Sequence, residues 1–271
     1  MKIIVCIKQV PESSRVRMDP DTGLMIREGM IAVVNPLDLY AVEAALRLKE
    51  LYGGTVTALT MGPAAAMAAL REVIAMGCDD ALLLSDKQFA GGDTWATSRV
   101  LSAAIRTLLP DTDLILCGER AVDGDTGQVG PGIAAWLDLP VVTYVAKLAK
   151  EGNALIAERL IEEGRERLRM ELPGVVTVVK EIHTPRLPTL DGKKKARVAV
   201  VPTITAERLG LAPAACGLAG SPTRVVRITQ PKLARGGRII RAATEAEIAA
   251  AVDAAYDWIV SVAPQSGRAA S

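Results

Sequence analysis

The sequence predicts an α/β protein built on a doubly wound, mostly parallel β-sheet. Within residues 1–140, short continuous apolar runs alternate with segments of helical periodicity. Continuous apolar runs are typical of strands buried on both faces, and strand–helix alternation indicates parallel strands joined by crossover helices. Half of the 271 residues are hydrophobic, which is enough for a sizeable core without metal or disulfide staples.

Local signals define each element of this region. Strands are predicted at residues 3–7, 55–60, 80–84 and 114–117, and helices at residues 37–52, 62–77 and 93–109. In the first helix, Ala41 and Leu48 fall on one face, and Gly53-Gly54 ends the helical pattern. Pro63 suits the first turn of the second helix, and Gly77 marks its end.

Two segments are predicted to add antiparallel structure. The long connection over residues 9–34 contains the turn signal Asp19-Pro20-Asp21-Thr22-Gly23, which indicates a small hairpin. After Pro140 the rhythm changes to short strand-like runs joined by tight polar turns, at residues 141–147, 154–161, 165–171 and 175–179. These runs predict an antiparallel ribbon added to the sheet.

The last part of the chain is predicted to be an extended C-terminal arm. From Pro202 onward the sequence is rich in Gly, Pro and Ala and has no strand–helix rhythm. Its one well-marked helix begins with a capping box formed by Thr244 and Glu247. We therefore expect an α/β domain over residues 1–200 and an arm over residues 201–271 that wraps a partner or the core.

Composition excludes several classes of function. One histidine, His183, cannot build a multi-histidine metal centre, and 3% aromatic residues make a poor base-stacking platform for nucleic acid. A net charge of +1 gives no field that recruits nucleic acid or an anionic membrane, and no apolar stretch is long enough to span a bilayer. We expect neither a metal site nor catalytic side chains. The four cysteines form no C-x-x-C pair, which favours a reducing, cytoplasmic setting: Cys6, Cys78, Cys117 and Cys216.

The most informative loop follows the fourth predicted strand and spans residues 118–131. Ligands of open α/β sheets bind at the carboxyl ends of parallel strands, and glycines let backbone N–H groups approach an anion. Thr126 and Gln128 add neutral hydrogen-bonding groups, while Asp123 and Asp125 suit ribose hydroxyls or loop orientation. The loop is neither a Walker loop nor G-x-G-x-x-G. Nucleotide binding and an ordinary solvated turn therefore both remain open.

Two further turns are expected at the same sheet edge. Asn35-Pro36-Leu37-Asp38 precedes the first helix, and Thr60-Met61-Gly62-Pro63 follows the second strand. Three turns converging on one edge outline a pocket lined by backbone and small side chains. A basic run, Lys193-Lys194-Lys195, is either a solvated turn or a surface for an acidic partner.

Several motifs resemble the β subunits of electron-transfer flavoproteins. The resemblance centres on residues 157–168 and 173–177, with further matches at Val5–Lys8, Asn35-Pro36, residues 41–49, Met61–Pro63 and residues 75–79. It implies a Rossmann-like fold similar to the adenine-nucleotide hydrolases and a heterodimer whose α subunit carries the redox FAD. The arm over residues 201–271 would wrap that subunit. Members of the family hold a second nucleotide in the β subunit, which is AMP in ordinary members and FAD in electron-bifurcating ones.

The resemblance also implies a set of cofactor-binding residues. Residues 123–131 and Gly220–Thr223 resemble bifurcating members more than AMP-binding ones, so FAD is favoured and AMP is the alternative. The implied nucleotide-binding residues are Cys6, Asn35, Pro36, Leu37, Asp38, Met61, Gly118, Asp123, Gly124, Asp125, Thr126, Gly127, Gln128 and Val129.

A partner-docking segment is implied at residues 185–190. Leu190 is its expected anchor, with Lys193, Lys194 and Lys195 beside it, for an acyl-CoA dehydrogenase or a similar flavin dehydrogenase. The Pro-Asn-Ile-Met continuation of AMP-type members is absent, so this partner can differ. Two rival hypotheses stay open. An ATP-using enzyme of the adenine-nucleotide α-hydrolase type requires a Ser-Gly-Gly-rich loop after the first strand, where this chain has Lys8–Pro11. A nucleotide-sensing or structural module predicts no flavin and no obligate partner.

Overall fold

The computed structural model describes residues 1–12, 32–226 and 239–262. The chain divides into two compact units, Met1–Ile228 and Thr229–Ser271, which are described separately. The predicted hairpin turn at residues 19–23 lies outside the described residues. The strands that lead into and out of that segment, Gln9–Pro11 and Ala32–Val34, pair antiparallel.

The helices and strands follow one another as the sequence predicts over most of the chain. The strands are β1 (Lys2–Cys6), β2 (Gln9–Pro11), β3 (Ala32–Val34), β4 (Thr55–Met61), β5 (Asp80–Leu84), β6 (Leu114–Gly118), β7 (Val141–Glu151), β8 (Ala154–Ile161), β9 (Gly164–Glu171), β10 (Gly174–Val178) and β11 (Thr203–Ile204). The helices are α1 (Pro36–Tyr52), α2 (Met67–Met76), α3 (Thr94–Leu108), α4 (Val129–Leu137), α5 (Leu190–Val198) and α6 (Glu245–Val262).

The main sheet has the order β11-β5-β4-β1-β6-β10-β7-β8-β9. In this spatial order, the seven neighbouring strands from β11 through β7 pair in parallel, and β7 pairs antiparallel with β8, as β8 does with β9. The predicted doubly wound, mostly parallel sheet with an added ribbon is confirmed. One pairing differs from the prediction. β10 was expected to continue the ribbon but lies between β6 and β7, parallel to both. All five of its residues are buried, as a central strand requires.

Helices cover both faces of the sheet, and β1 shows how. Ile3 and Val5 belong to a core shared with α1 and α2, whereas Ile4 belongs to a second core shared with α3 and α4. Successive residues of a strand point to opposite faces, so a continuous apolar run fills both layers. Because β1 pairs in parallel with both β4 and β6, the carboxyl ends of these three strands meet at one edge of the sheet, between the two helical layers.

Helix α5 occupies the region where the sequence indicated only a basic segment. Thr189 caps it, since its Oγ1 accepts a hydrogen bond from the N–H of Gly192 at 2.9 Å. Gly192 packs so closely on α2 that a Cβ there would lie 2.0 Å from the carbonyl oxygen of Ala75. The contact with α2 requires glycine at this point, and it fixes the position of α5.

The second unit contains α6, and its predicted capping box is confirmed. The N–H of Glu247 donates to Thr244 Oγ1 at 3.3 Å, and the N–H of Thr244 donates to Glu247 Oε2 at 3.0 Å. Ile248, Val252 and Tyr256 recur every four residues along the helix and are all more than half exposed. Within the described parts of the chain, no helix has the length and apolar character needed to cross a membrane.

Candidate nucleotide site

A cleft of about 370 Å³ lies at the edge where β1, β4 and β6 end. The segment between β6 and α4, residues 119–128 and named here the β6–α4 loop, forms one wall. Most of the predicted cofactor-binding residues line this cleft, namely Cys6, Asp38, Met61, Gly118, Gly124, Thr126, Gly127, Gln128 and Val129. The remaining ones, Asn35, Pro36, Leu37, Asp123 and Asp125, lie beside the cleft and do not line it.

Two thiols form part of the cleft floor. Cys6 and Cys117 are paired in register at the ends of β1 and β6, and both are buried. A hydrogen bond with Cys6 and burial raise the pKa of the Cys117 thiol well above its ordinary value. The Cys117 thiol is therefore protonated at neutral pH, and it gives the floor a small, uncharged surface.

Asp38 also lines the cleft, beside this floor. Its Oδ2 accepts a hydrogen bond from the N–H of Lys8 at 2.7 Å. Burial raises the pKa of Asp38 to about 7, although hydrogen bonds from Asn35, Lys8 and Gly118 act in the opposite direction. A carboxyl group that titrates near neutral pH thus lies at the first turn of α1, in the wall of the cleft.

The acidic residues of the β6–α4 loop are paired with cations. Lys8 Nζ lies 2.6 Å from Asp123 Oδ1, and Arg120 Nε lies 2.8 Å from Asp125 Oδ1. The N–H groups of Gly124 and Asp125 both donate to the carbonyl oxygen of Ala121. These contacts orient the loop and offset its negative charge, which would otherwise repel a phosphate group at this position.

Helix α4 begins directly at the cleft. Its N-cap residue, Gln128, makes no hydrogen bond from its side chain to the first turn. A Cβ on Gly130 would lie 2.5 Å from Thr177 Cγ2, so glycine allows the first turn of α4 to pack against β10. An uncapped helix N-terminus at a cleft favours an anion such as phosphate.

The opposite wall of the cleft was missed by the sequence analysis. It comprises Phe89, Gly91, Gly92, Asp93, Thr94, Thr97 and Leu101. The sequence could have indicated this wall, because residues 85–93 connect the parallel strand β5 to helix α3, as the recognised turns connect other strands to helices. Thr94 Oγ1 donates to Gln128 Oε1 at 2.9 Å and joins the two walls.

Asp93 links this wall to the segment at residues 217–223. Its Oδ1 accepts from the N–H of Ala96 at 3.0 Å, and its Oδ2 accepts from Thr223 Oγ1 at 2.7 Å. Ser221 Oγ accepts from the N–H of Asp93 at 2.8 Å. Burial favours a higher pKa for Asp93, but the hydrogen bonds from Ala96, Thr223 and Ser221 hold it below its ordinary value. The Gly220–Thr223 motif thus contacts the cleft wall through an ionised carboxylate.

The predicted docking residues lie on α5. Leu190 is 72% exposed at the first position of the helix. Lys193 borders a groove of about 320 Å³ between α2 and α5. Lys194 pairs with Asp191 at 3.0 Å, and Lys195 Nζ donates to the carbonyl oxygen of Cys78 at 3.1 Å. Lys194 and Lys195 therefore have partners within the chain, and Lys195 holds α5 in place.

The fold and the cleft define a doubly wound α/β protein with a ligand-sized site at the carboxyl edge of its parallel strands. The chain belongs to the electron transfer flavoprotein family, whose domain model matches residues 22–207. It is 46% identical over 245 residues to the electron transfer flavoprotein subunit beta of Thermoanaerobacterium thermosaccharolyticum, covering 88% of this chain and 92% of that one. The predicted resemblance to β subunits is confirmed.

Two further relatives carry more specific names. The chain is 46% identical over 250 residues to subunit CarD of the caffeyl-CoA reductase-Etf complex of Acetobacterium woodii, covering 92% of this chain and 95% of that subunit. It is 43% identical over 238 residues to protein FixA of Azotobacter vinelandii, covering 86% and 85%.

Proposed function

We propose that this chain is the nucleotide-holding β subunit of a heterodimeric electron-transfer flavoprotein. In this proposal the cleft binds FAD, and the complex passes electrons between a flavin dehydrogenase and downstream acceptors, including by flavin-based electron bifurcation. Flavin supplies the redox chemistry when it is bound, and the protein supplies position and electrostatics. The uncapped N-terminus of α4, beside a loop whose acidic residues are already paired, is the observation that carries the proposal.

The lining of the cleft supports a ligand larger than a phosphate alone. Met61, Phe89 and Leu101 contribute apolar side chains, while Thr94, Thr126 and Gln128 contribute polar ones. Mixed linings of this kind suit a cofactor with both a ring system and phosphate groups. FAD is favoured over AMP because the Gly220–Thr223 motif, which resembles bifurcating members, contacts the same wall through Asp93.

The nucleotide content of the intact αβ complex tests this assignment. After denaturation of the complex, we expect two FAD molecules per heterodimer. One FAD and one AMP would refute the FAD assignment but keep the β-subunit function. A colourless, stable monomer that hydrolyses ATP would overturn the function and favour the rival ATP-using class.

The docking of a flavin dehydrogenase is proposed for Leu190 and the adjoining lysines. Relatives support a CoA-linked partner, since one belongs to a caffeyl-CoA reductase-Etf complex and another is an acryloyl-CoA reductase electron transfer subunit. Leu190→Ala should lower electron transfer between an acyl-CoA dehydrogenase and the complex about tenfold, as expected for an interface anchor. Leu51→Ala is the matched control, because Leu51 is 73% exposed on α1. Equal rates for both variants would refute this docking site.

The part of the predicted arm that contains α6 is proposed to wrap the α subunit, since residues 203–204 of that arm belong to the main sheet as β11. Support comes from α6, where Ile248, Val252 and Tyr256 expose apolar surface along one side of the helix. Val252→Asp should weaken the heterodimer. Val200→Asp, at a valine that is 90% exposed in the first unit, should leave it unchanged. Heterodimers of equal stability in both variants, measured by analytical ultracentrifugation, would contradict this role for α6.

A further inference from the structure

Asn35 lies directly before α1 and beside the cleft, and its side chain is committed to the β6–α4 loop. The residue is 0% exposed. Its Nδ2 donates to the carbonyl oxygen of Arg120 at 2.9 Å, and its Oδ1 accepts from the N–H of Val122 at 3.1 Å. Both polar atoms of the amide therefore bond to the loop, the amide also bonds to the Asp38 carboxyl group, and Asn35 does not line the cleft itself.

The start of the loop is fixed to the same turn of α1. A Cβ on Gly118 would lie 2.4 Å from Asp38 Oδ1 and 2.8 Å from the carbonyl oxygen of Leu37, so no side chain fits there. Gly118 thus holds the end of β6 against α1. Asn35 extends this contact to the backbone of Arg120 and Val122, two and four residues further along.

The ion pairs that hold the loop are weaker constraints. In the pair of Lys8 with Asp123, the side chains are 48% and 28% exposed, and in the pair of Arg120 with Asp125 they are 46% and 71% exposed. Exposed ion pairs contribute little because water and salt screen them. The two hydrogen bonds of Asn35 are made by a fully buried amide, where unmade bonds are costly.

We infer that Asn35 is a positioning residue, which sets the nucleotide affinity of the cleft by holding the β6–α4 loop in its binding conformation. This inference rests on the proposed nucleotide-binding function. A preformed loop loses less conformational freedom when the ligand binds, so its affinity is higher. Since the effect acts through the loop, it applies to every nucleotide that uses the loop.

The test compares Asn35→Ala with Asn153→Ala in the full-length, nucleotide-free protein. Asn153 is a suitable control because its amide makes a 3.4 Å bond to Leu172 in the ribbon, away from the cleft. Two quantities are measured: the affinities for FAD and AMP by calorimetry, and the hydrogen exchange of amides 119–128 without nucleotide. Asn35→Ala should weaken whichever nucleotide the parent binds by about 10- to 100-fold and should accelerate loop exchange. Asn153→Ala should change neither.

Asn35→Ser provides a second, uncharged variant in case Asn35→Ala folds poorly, because serine is also a favoured residue directly before a helix. It removes both amide atoms that bond to Arg120 and Val122, so its loop exchange should also be faster than that of the parent. Unchanged affinity with accelerated loop exchange would overturn the inference. Weaker affinity with parental loop exchange would also overturn it, because Asn35 would then act by direct contact. If the parent binds neither FAD nor AMP, the proposed function itself fails, and the loop-exchange result separates that failure from this one.

Discussion

Removal of the Arg186 side chain should destabilise the protein by leaving a buried carboxylate without its main partner. Glu43 lies on α1 with its side chain 2% exposed. Its carboxylate accepts from Arg186 Nε at 2.8 Å and from Arg186 Nη2 at 3.2 Å, as well as from the backbone N–H of residue 186 at 3.0 Å. Arg47 Nε donates to the same carboxylate at 2.8 Å and remains in the variant.

The expected loss follows from these contacts. Removing one partner of a buried ion pair costs about 3–5 kcal/mol. In Arg186→Ala, Arg47 and the backbone N–H of residue 186 still donate hydrogen bonds to Glu43. The loss in the free energy of unfolding should therefore be about 2–3 kcal/mol, at or below the lower end of that range. Urea denaturation followed by circular dichroism measures this quantity.

The matched control is Arg165→Ala on β9. Arg165 is 54% exposed and lies 3.8 Å from Glu158, so its removal should cost less than about 1 kcal/mol. A Glu43→Gln/Arg186→Ala double variant completes the comparison, since neutral glutamine needs no cation. It should recover part of the stability lost in Arg186→Ala. A loss in Arg186→Ala no larger than in Arg165→Ala would refute the reasoning.

Three further predictions concern the titration of Asp38, the titration of Glu43 and the packing of Gly118. Burial raises the pKa of Asp38 to about 7. Between about pH 4 and 7 the folded state therefore binds a proton at Asp38 that the unfolded state has lost. The free energy of unfolding then falls as pH rises through this range, by up to about 1.4 kcal/mol per pH unit. Asp38→Asn should flatten this part of the profile, and an unchanged profile in urea titrations would contradict it. Burial favours a higher pKa for Glu43, but hydrogen bonds from Arg186 and Arg47 hold that pKa below its ordinary value. The ionised carboxylate therefore contributes to the free energy of unfolding above the ordinary pKa, and this contribution is lost in acid. Arg186→Ala should move the loss to higher pH, which acid unfolding curves measure. Gly118→Ala should cost about 1–3 kcal/mol and abolish retention of the second nucleotide, because its Cβ meets Asp38 and Leu37. Gly124→Ala on the same loop meets no atom of the chain within 4 Å and should be neutral in thermal melts.

The alternation of strands and helices was predictable because it depends on local patterns. Residues 3–7 and 114–117 were assigned as strands from continuous apolar runs, and both runs fill two cores in the structure. The direction of β10 was not predictable in this way. An apolar run of five residues looks the same whether it extends a ribbon or inserts beside β6, and long-range pairing decides between the two.

The cleft was predicted on one side only, for a related reason. The β6–α4 loop has several glycines together with Thr126 and Gln128, whereas the sequence of the turn with Gly91 and Gly92 before α3 matches no recognised binding motif. Helix α5 was missed because its basic residues give little apolar periodicity, and its position depends on the contact of Gly192 with α2. The commitment of Asn35 to residues 120 and 122 joins parts of the chain more than 80 positions apart, which no local pattern reveals.

The charged side chains that line the cleft organise its walls. Lys8 pairs with Asp123, Arg120 pairs with Asp125, and Asp38 accepts the N–H of Lys8. Lys8 thus joins the end of β1 to the β6–α4 loop and to the first turn of α1, whereas the pair of Arg120 with Asp125 lies within the loop. Mutation of such groups should therefore change how tightly a cofactor is held more than the chemistry the cofactor performs. A variant such as Lys8→Met that weakens nucleotide binding but leaves the flavin potential of the loaded complex unchanged would support this division; a shifted potential with unchanged binding would refute it.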